Sequence, residues 1–97
     1  MGKKTRSDLS QKLNKLREKI NLLDQKLLTL LNQRLCIALE IGKIKKKMGK
    51  KIYDPKREKE ILEKLKQKNK DLLKEEDLKK IFTTIMKVCR KSQIEHP

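Results

Sequence analysis

Arg34 is the first position whose residue type and setting point to chemistry. It interrupts an apolar series, with Leu9, Leu13, Leu16, Ile20, Leu23, Leu27 and Leu30 before it and Ile37, Ile41, Ile44 and Met48 after it. The series alternates spacings of four and three, the rhythm of one face of a long packed helix. A guanidinium in such a register is costly to bury unless an anion pairs with it. The pattern alone leaves two readings level. One is a salt bridge to another helix or a side chain snorkelling to solvent; the other is a socket for an anionic ligand. Lys45 follows eleven residues later, about three helical turns, so Arg34, Ala38, Ile41 and Lys45 share one side. Two cations bracketing an apolar strip look like one wall of a pocket.

Other candidates lie further along the chain. Glu58 shares a helical face with Ile61, Leu62 and Leu65, which directs its carboxylate inward. Alone, it reads more simply as a capping or salt-bridge residue. Gln93 continues an apolar face formed by Leu78, Ile81, Phe82, Ile85, Val88 and Cys89, yet a single glutamine near a helix end is ordinarily solvated. Cys36 and Cys89 have no CxxC pairing and no histidine cluster. Each falls within a helical pattern and is expected to be a buried small hydrophobe, neither disulfide nor metal ligand.

These residues need helices to position them. Aromatics make up 2% of the chain and charged residues 42%, while Leu, Lys, Glu, Ile and Gln dominate, so an all-α fold is expected. Breaks at Gly49-Lys50-Lys51 and Asn69-Lys70-Asp71 predict three helices, about Asp8 to Met48, Pro55 to about Asn69, and about Glu75 to Glu95. Asp54 is a suitable N-cap for the second, with Pro55 at its first turn. The 97 residues read as one domain, with residues 1–7 a flexible basic start.

With 28 basic and 13 acidic residues the net charge is +15. Most of these lysines are expected to be solvated surface, and a functional excess would need an anionic partner. A nucleic-acid-binding helical module is weakened by the scarcity of stacking aromatics and by cations on apolar faces, since phosphate-binding surfaces are normally exposed. A structural coiled-coil adaptor would be poorly served by Arg34 and Lys45 in its seam. The basic start meets Ser7-Asp8 and no apolar signal region, and Arg6 stands where a myristoylation signal wants Ser or Thr. No apolar run approaches a membrane span; a cytoplasmic protein without membrane contact is expected.

A first helix of that length would reach ~60 Å, against ~22 and ~30 Å for the other two. Leu28, Leu31, Leu35 and Ala38 also widen its stripe. An isolated chain would leave a contiguous leucine patch exposed, so a two-fold dimer built on the long helices is expected.

Five stretches then carry a specific resemblance: Leu16-Arg17-Glu18-Lys19-Ile20, Leu30-Leu31-Asn32-Gln33-Arg34, Ile41-Gly42-Lys43-Ile44-Lys45, Asp54-Pro55-Lys56-Arg57-Glu58 and Cys89-Arg90-Lys91-Ser92-Gln93. In order and spacing, across about residues 9 to 94, the chain resembles the AroQ-type, all-helical chorismate mutase family. The resemblance implies a three-helix protomer intertwined as a homodimer. It also implies rearrangement of chorismate to prephenate in Phe and Tyr biosynthesis, without metal or cofactor and with no nucleic-acid partner.

The resemblance also assigns site residues. Arg34 and the partner chain's Arg17 would bind the substrate carboxylates, and Lys45 and Gln93 would donate to the ether oxygen. Glu58 would accept from the ring hydroxyl, aided by the backbone near Asp54, and Arg57 would help fix substrate and Glu58. Cys89 stands where the family usually has a small residue, often Ser, near a carboxylate; a thiol is a weaker donor, so backbone contact or packing is its expected part. Related isochorismate pyruvate lyases generally lack a carboxylate at the position of Glu58, which favours the mutase. Arg17 and Lys45 are 28 residues apart, or ~42 Å along one straight helix. Both can touch one small molecule only if they come from different subunits.

Overall fold

The computed structural model describes residues 5–96. Three helices account for most of them: α1 (Arg6–Lys47), α2 (Pro55–Lys68) and α3 (Glu75–Glu95). The all-α expectation holds. Helix α1 starts two residues before the expected Asp8 because Thr5 and Asp8 cap it reciprocally. Thr5 Oγ1 accepts from the Asp8 amide at 3.1 Å, and Asp8 Oδ2 accepts from the Thr5 amide at 3.3 Å and its hydroxyl at 2.9 Å. This places a capping box on the helix start. Within the expected flexible start, Thr5 caps the helix, Arg6 and Ser7 are helical, and residues 1–4 lie outside the described residues.

The end of α1 follows from Gly49, whose φ of 69° is the left-handed conformation that favours glycine. The Gly49 amide reaches Lys46 O at 3.2 Å and the Lys50 amide reaches Lys45 O at 2.8 Å, the paired bonds of a Schellman cap. Asp54 caps α2 as expected, its Oδ1 accepting from the Arg57 amide at 3.0 Å, with Pro55 in the first turn. Helix α3 has no side-chain N-cap but carries Glu75, Glu76 and Asp77 in its first turn, where acidic groups complement the helix dipole. An exposed ion pair joins Lys66 to Glu75 at 3.0 Å. The hydrogen bond and charge of Glu75 raise the lysine above its ordinary pKa. On the basic side the pair is therefore kept through neutral pH and lost as pH climbs through that raised value.

The chain forms two compact units, divided between Gln33 and Arg34. In the first, every described residue is exposed, including Leu9, Leu13, Leu16, Ile20, Leu23 and Leu27. The second holds a small core of Ala38, Leu78, Met86 and Cys89, with Gly42 and Gln93 also buried. Ile61, Leu62 and Leu65 of α2 are half-buried against it. Two details depart from expectation. In α3 the buried stripe runs through Leu78, Met86, Cys89 and Gln93, leaving Ile81 and Val88 exposed on one flank. At about 100° per residue, that stripe is rotated toward Met86. In α1, Cys36 is exposed, because it sits two residues from buried Ala38 and so on nearly the opposite side. No helix among the described residues is long and apolar enough to cross a membrane.

Glycine is required where α1 meets α3. A Cβ on Gly42 would stand 2.9 Å from Gln93 Cγ and 3.1 Å from its Cβ, closer than packed carbons tolerate. Gly42→Ala should gain about 1 kcal/mol of helix propensity but lose ~1–3 kcal/mol to overpacking. We predict a lower thermal midpoint for Gly42→Ala; an unchanged or higher one would show that this contact is slack.

Candidate active site

A cleft of about 460 Å³ opens within the second unit. Its α1 wall is Arg34, Ala38, Ile41 and Lys45; Asp54, Arg57, Glu58 and Ile61 form the α2 side; Met86, Cys89, Arg90 and Gln93 come from α3. Arg34, Lys45, Asp54, Arg57, Glu58, Cys89 and Gln93, all singled out from sequence, thus line one space. Arg17 does not line it and belongs to the other unit.

The cleft gathers four cations, Arg34, Lys45, Arg57 and Arg90, against two carboxylates, Asp54 and Glu58. Among the described residues Arg34 and Lys45 form no salt bridge. Arg34 is half-buried and donates through Nη1 to Cys89 Sγ at 3.0 Å. Thiol sulfur is a weak acceptor, so most of the guanidinium's donor capacity stays open. Lys45 Nζ donates to the carbonyl of Ile52 at 3.0 Å. That bond anchors the ammonium to the loop before α2 and leaves two of its three N–H groups for a ligand. Arg57 stands 3.8 Å from Glu60, both about half exposed, a pair too solvated to hold it firmly.

Gln93 is fixed three ways. It is 7% exposed, its side chain lies against Gly42, and Nε2 donates to Ala38 O at 2.7 Å. Its backbone carbonyl accepts from Lys46 Nζ at 2.7 Å. One amide N–H remains after the bond to Ala38. The glutamine that looked like a solvated helix-end residue is instead the buried end of the α3 stripe, because α1 offers it a glycine and a carbonyl whose second lone pair accepts its amide.

Glu58 is half-buried and ion-paired with Arg90. Arg90 in turn lies over the Tyr53 ring, 4.4 Å from its centroid. Arg90 and Tyr53 were not picked out from sequence. The available signal was the position of Arg90 directly after inward-facing Cys89, which puts it at the edge of the buried stripe. Chemically, the cleft offers fixed N–H donors over apolar walls and one oriented carboxylate. That set suits binding a small anion and stabilising charge that develops on it.

Comparison with known proteins agrees with this chemistry. The family model described as chorismate mutase type II matches residues 16–94. A bifunctional chorismate mutase/prephenate dehydratase from Aquifex aeolicus is 37% identical over 83 residues, which are 81% of this chain and 23% of that protein. The chain thus spans about a quarter of that relative. A chorismate mutase from Methanocaldococcus jannaschii is 33% identical over 88% of this chain and 90% of its own length. Among solved structures, chorismate mutase (form II) from Thermus thermophilus superposes with a TM-score of 0.86 at 29% identity, covering 88% of this chain and 97% of that one. Chorismate mutase from Helicobacter pylori in complex with prephenate gives 0.80 at 43% identity, over 86% and 90%. By sequence and by fold, this chain belongs to the type II chorismate mutase family.

Proposed function

We propose that this chain is a chorismate mutase, converting chorismate to prephenate by holding and stabilising the rearranging dianion. The observation that carries the reading is the excess of cations in an apolar-walled cleft, with Arg34 and Lys45 free of carboxylate partners among the described residues. Chorismate carries two carboxylates, an ether oxygen and a ring hydroxyl. Its [3,3] rearrangement is intramolecular and needs neither nucleophile nor proton transfer. What the protein must supply is a folded substrate conformation and donors aimed at negative charge growing on the ether oxygen as the C–O bond breaks.

Arg34 binds a substrate carboxylate, where a planar fork of donors suits a planar anion. Cys89 steadies it through the Sγ contact. Lys45 and Gln93 donate to the ether oxygen, each through an N–H not used by its own carbonyl bond. Glu58 accepts from the ring hydroxyl beside the backbone near Asp54, and Arg57, on the α2 side of the cleft, helps hold the substrate. The partner subunit's Arg17 completes the site in a two-fold dimer. Support for the dimer comes from the exposed leucine stripe of the first unit, which a second copy would cover. The reading of the chain as one domain is supported by the family match over residues 16–94, which spans both units. The two unpaired cysteines suit the reducing cytoplasm, and cations enclosed by apolar walls suit a small anion better than nucleic acid.

Arg34→Ala and Lys45→Ala should each lower turnover by ~10²–10³-fold in a folded helical dimer; near wild-type turnover in either would remove that residue from the site. Mixing inactive Arg17→Ala with inactive Lys45→Ala, and allowing subunits to exchange, should restore activity. One site of the mixed dimer is then intact, so the heterodimer should approach half the normal value per site. No recovery after verified exchange would mean that the two residues do not complement across subunits.

Gln93→Glu gives a pH test. To donate to either Ala38 O or the ether oxygen, the new carboxyl must keep its single proton, which free glutamate loses near pH ~4.3. Burial against a carbonyl raises its folded pKa. Both stability and turnover should therefore be highest at low pH and fall as pH rises through that raised value. A flat profile with normal turnover at neutral pH would exclude Gln93 as a donor.

A further inference from the structure

We infer that Arg90 is a positioning residue for Glu58, setting the direction in which that carboxylate faces the substrate. The inference rests on the role proposed above for Glu58 and concerns what fixes it there. Arg90 Nη1 donates to Glu58 Oε2 across the α2–α3 boundary. The two side chains are 25% and 19% exposed, so the pair is sheltered enough for its geometry to matter. Arg57, adjacent to Glu58 in sequence, stands near exposed Glu60 instead. Among the described residues, Arg90 is the cation paired with Glu58.

Tyr53 fixes the other side of Arg90. Its ring lies under the guanidinium, 4.4 Å from centroid to Cζ, so the planar group is held between a π face and a carboxylate. Lysine could supply the charge but not this plane. Oε2 is occupied, whereas Oε1 makes no hydrogen bond among the described residues and remains available to a ligand hydroxyl. The neighbouring residue, Cys89, meets Arg34 of α1. Two consecutive α3 residues therefore steady one cation of α1 and one carboxylate of α2, both lining the cleft.

The rival explanations are a purely structural clamp and a direct contact between Arg90 and a substrate carboxylate. A double-mutant cycle separates them. In the full-length protein with chorismate as substrate, Arg90→Gln should lower kcat/KM by roughly 10- to 100-fold, as loss of orientation does, while helical content and assembly are retained. Arg90→Lys should recover part of the loss. In a Glu58→Gln background, Arg90→Gln should cost nothing further. An equal additional loss in that background would overturn the inference, because Arg90 would then act independently of Glu58; wild-type kcat/KM for Arg90→Gln would overturn it too. Should Arg90→Gln fail to fold, Tyr53→Leu removes the stacking while keeping the ion pair. It should lower kcat/KM several-fold with Glu58 present and leave it unchanged in Glu58→Gln; equal losses in the two backgrounds would overturn the inference. Normal activity of Glu58→Gln alone would instead remove the proposed role of Glu58, and this inference with it, by a result visible before any Arg90 variant is made.

Discussion

Holding a guanidinium and an ammonium beside apolar side chains without a carboxylate partner is unfavourable unless something else satisfies them, and the cleft is arranged around that condition. Arg34 leans on a thiol and Lys45 on a backbone carbonyl. Both are neutral acceptors, which orient a cation without cancelling its charge. A structural salt bridge would have stabilised the fold more directly and left the cleft electrostatically silent. Glu58 has its own cation in Arg90 and Asp54 caps α2, so neither carboxylate of the cleft pairs with Arg34 or Lys45 among the described residues. The resulting surplus of positive charge is what a dianion would meet.

That arrangement depends on the close approach of α1 and α3. Gly42 removes a side chain at the point where Gln93 arrives, Ala38 supplies its carbonyl, and Lys46 grips the Gln93 backbone. Residues four apart on α1 thus form a short rail for the end of α3. The same contact places Cys89 one turn earlier beside Arg34. Packing in the second unit and preorganisation of the cleft are one set of interactions. The first unit contributes an exposed leucine face, the property through which a second copy would enter the proposed site.

Much of this was legible in the sequence because it is periodic. The three helices and the shared side of Arg34 and Lys45 follow from spacing, and the cap at Asp54 and the break at Gly49 from residue type. The start of α1 was missed by two residues because Thr5 and Asp8 form a local hydrogen-bonded cap, not an apolar repeat. Gln93 looked solvated because its burial is decided by a glycine about fifty residues away. Cys36 and Val88 were read as inward-facing, but small rotations about each helix determine which flank packs. Arg90 and Tyr53 escaped notice since a cation–π contact between a loop and a helix leaves no periodic trace. Pairings that join distant segments are decided by tertiary packing, and pattern alone does not reveal them.

On the reading proposed above, donors in this cleft, together with a second copy, rearrange one dianion into another within a single molecule, the ether C–O bond breaking as a C–C bond forms. The most direct measurement is incubation of the purified chain with chorismate, following loss of chorismate absorbance and identifying the product. Prephenate formed in step with chorismate loss, with no pyruvate released, is the expected result. Unchanged chorismate in the presence of folded dimer, or pyruvate in place of prephenate, would contradict the claim.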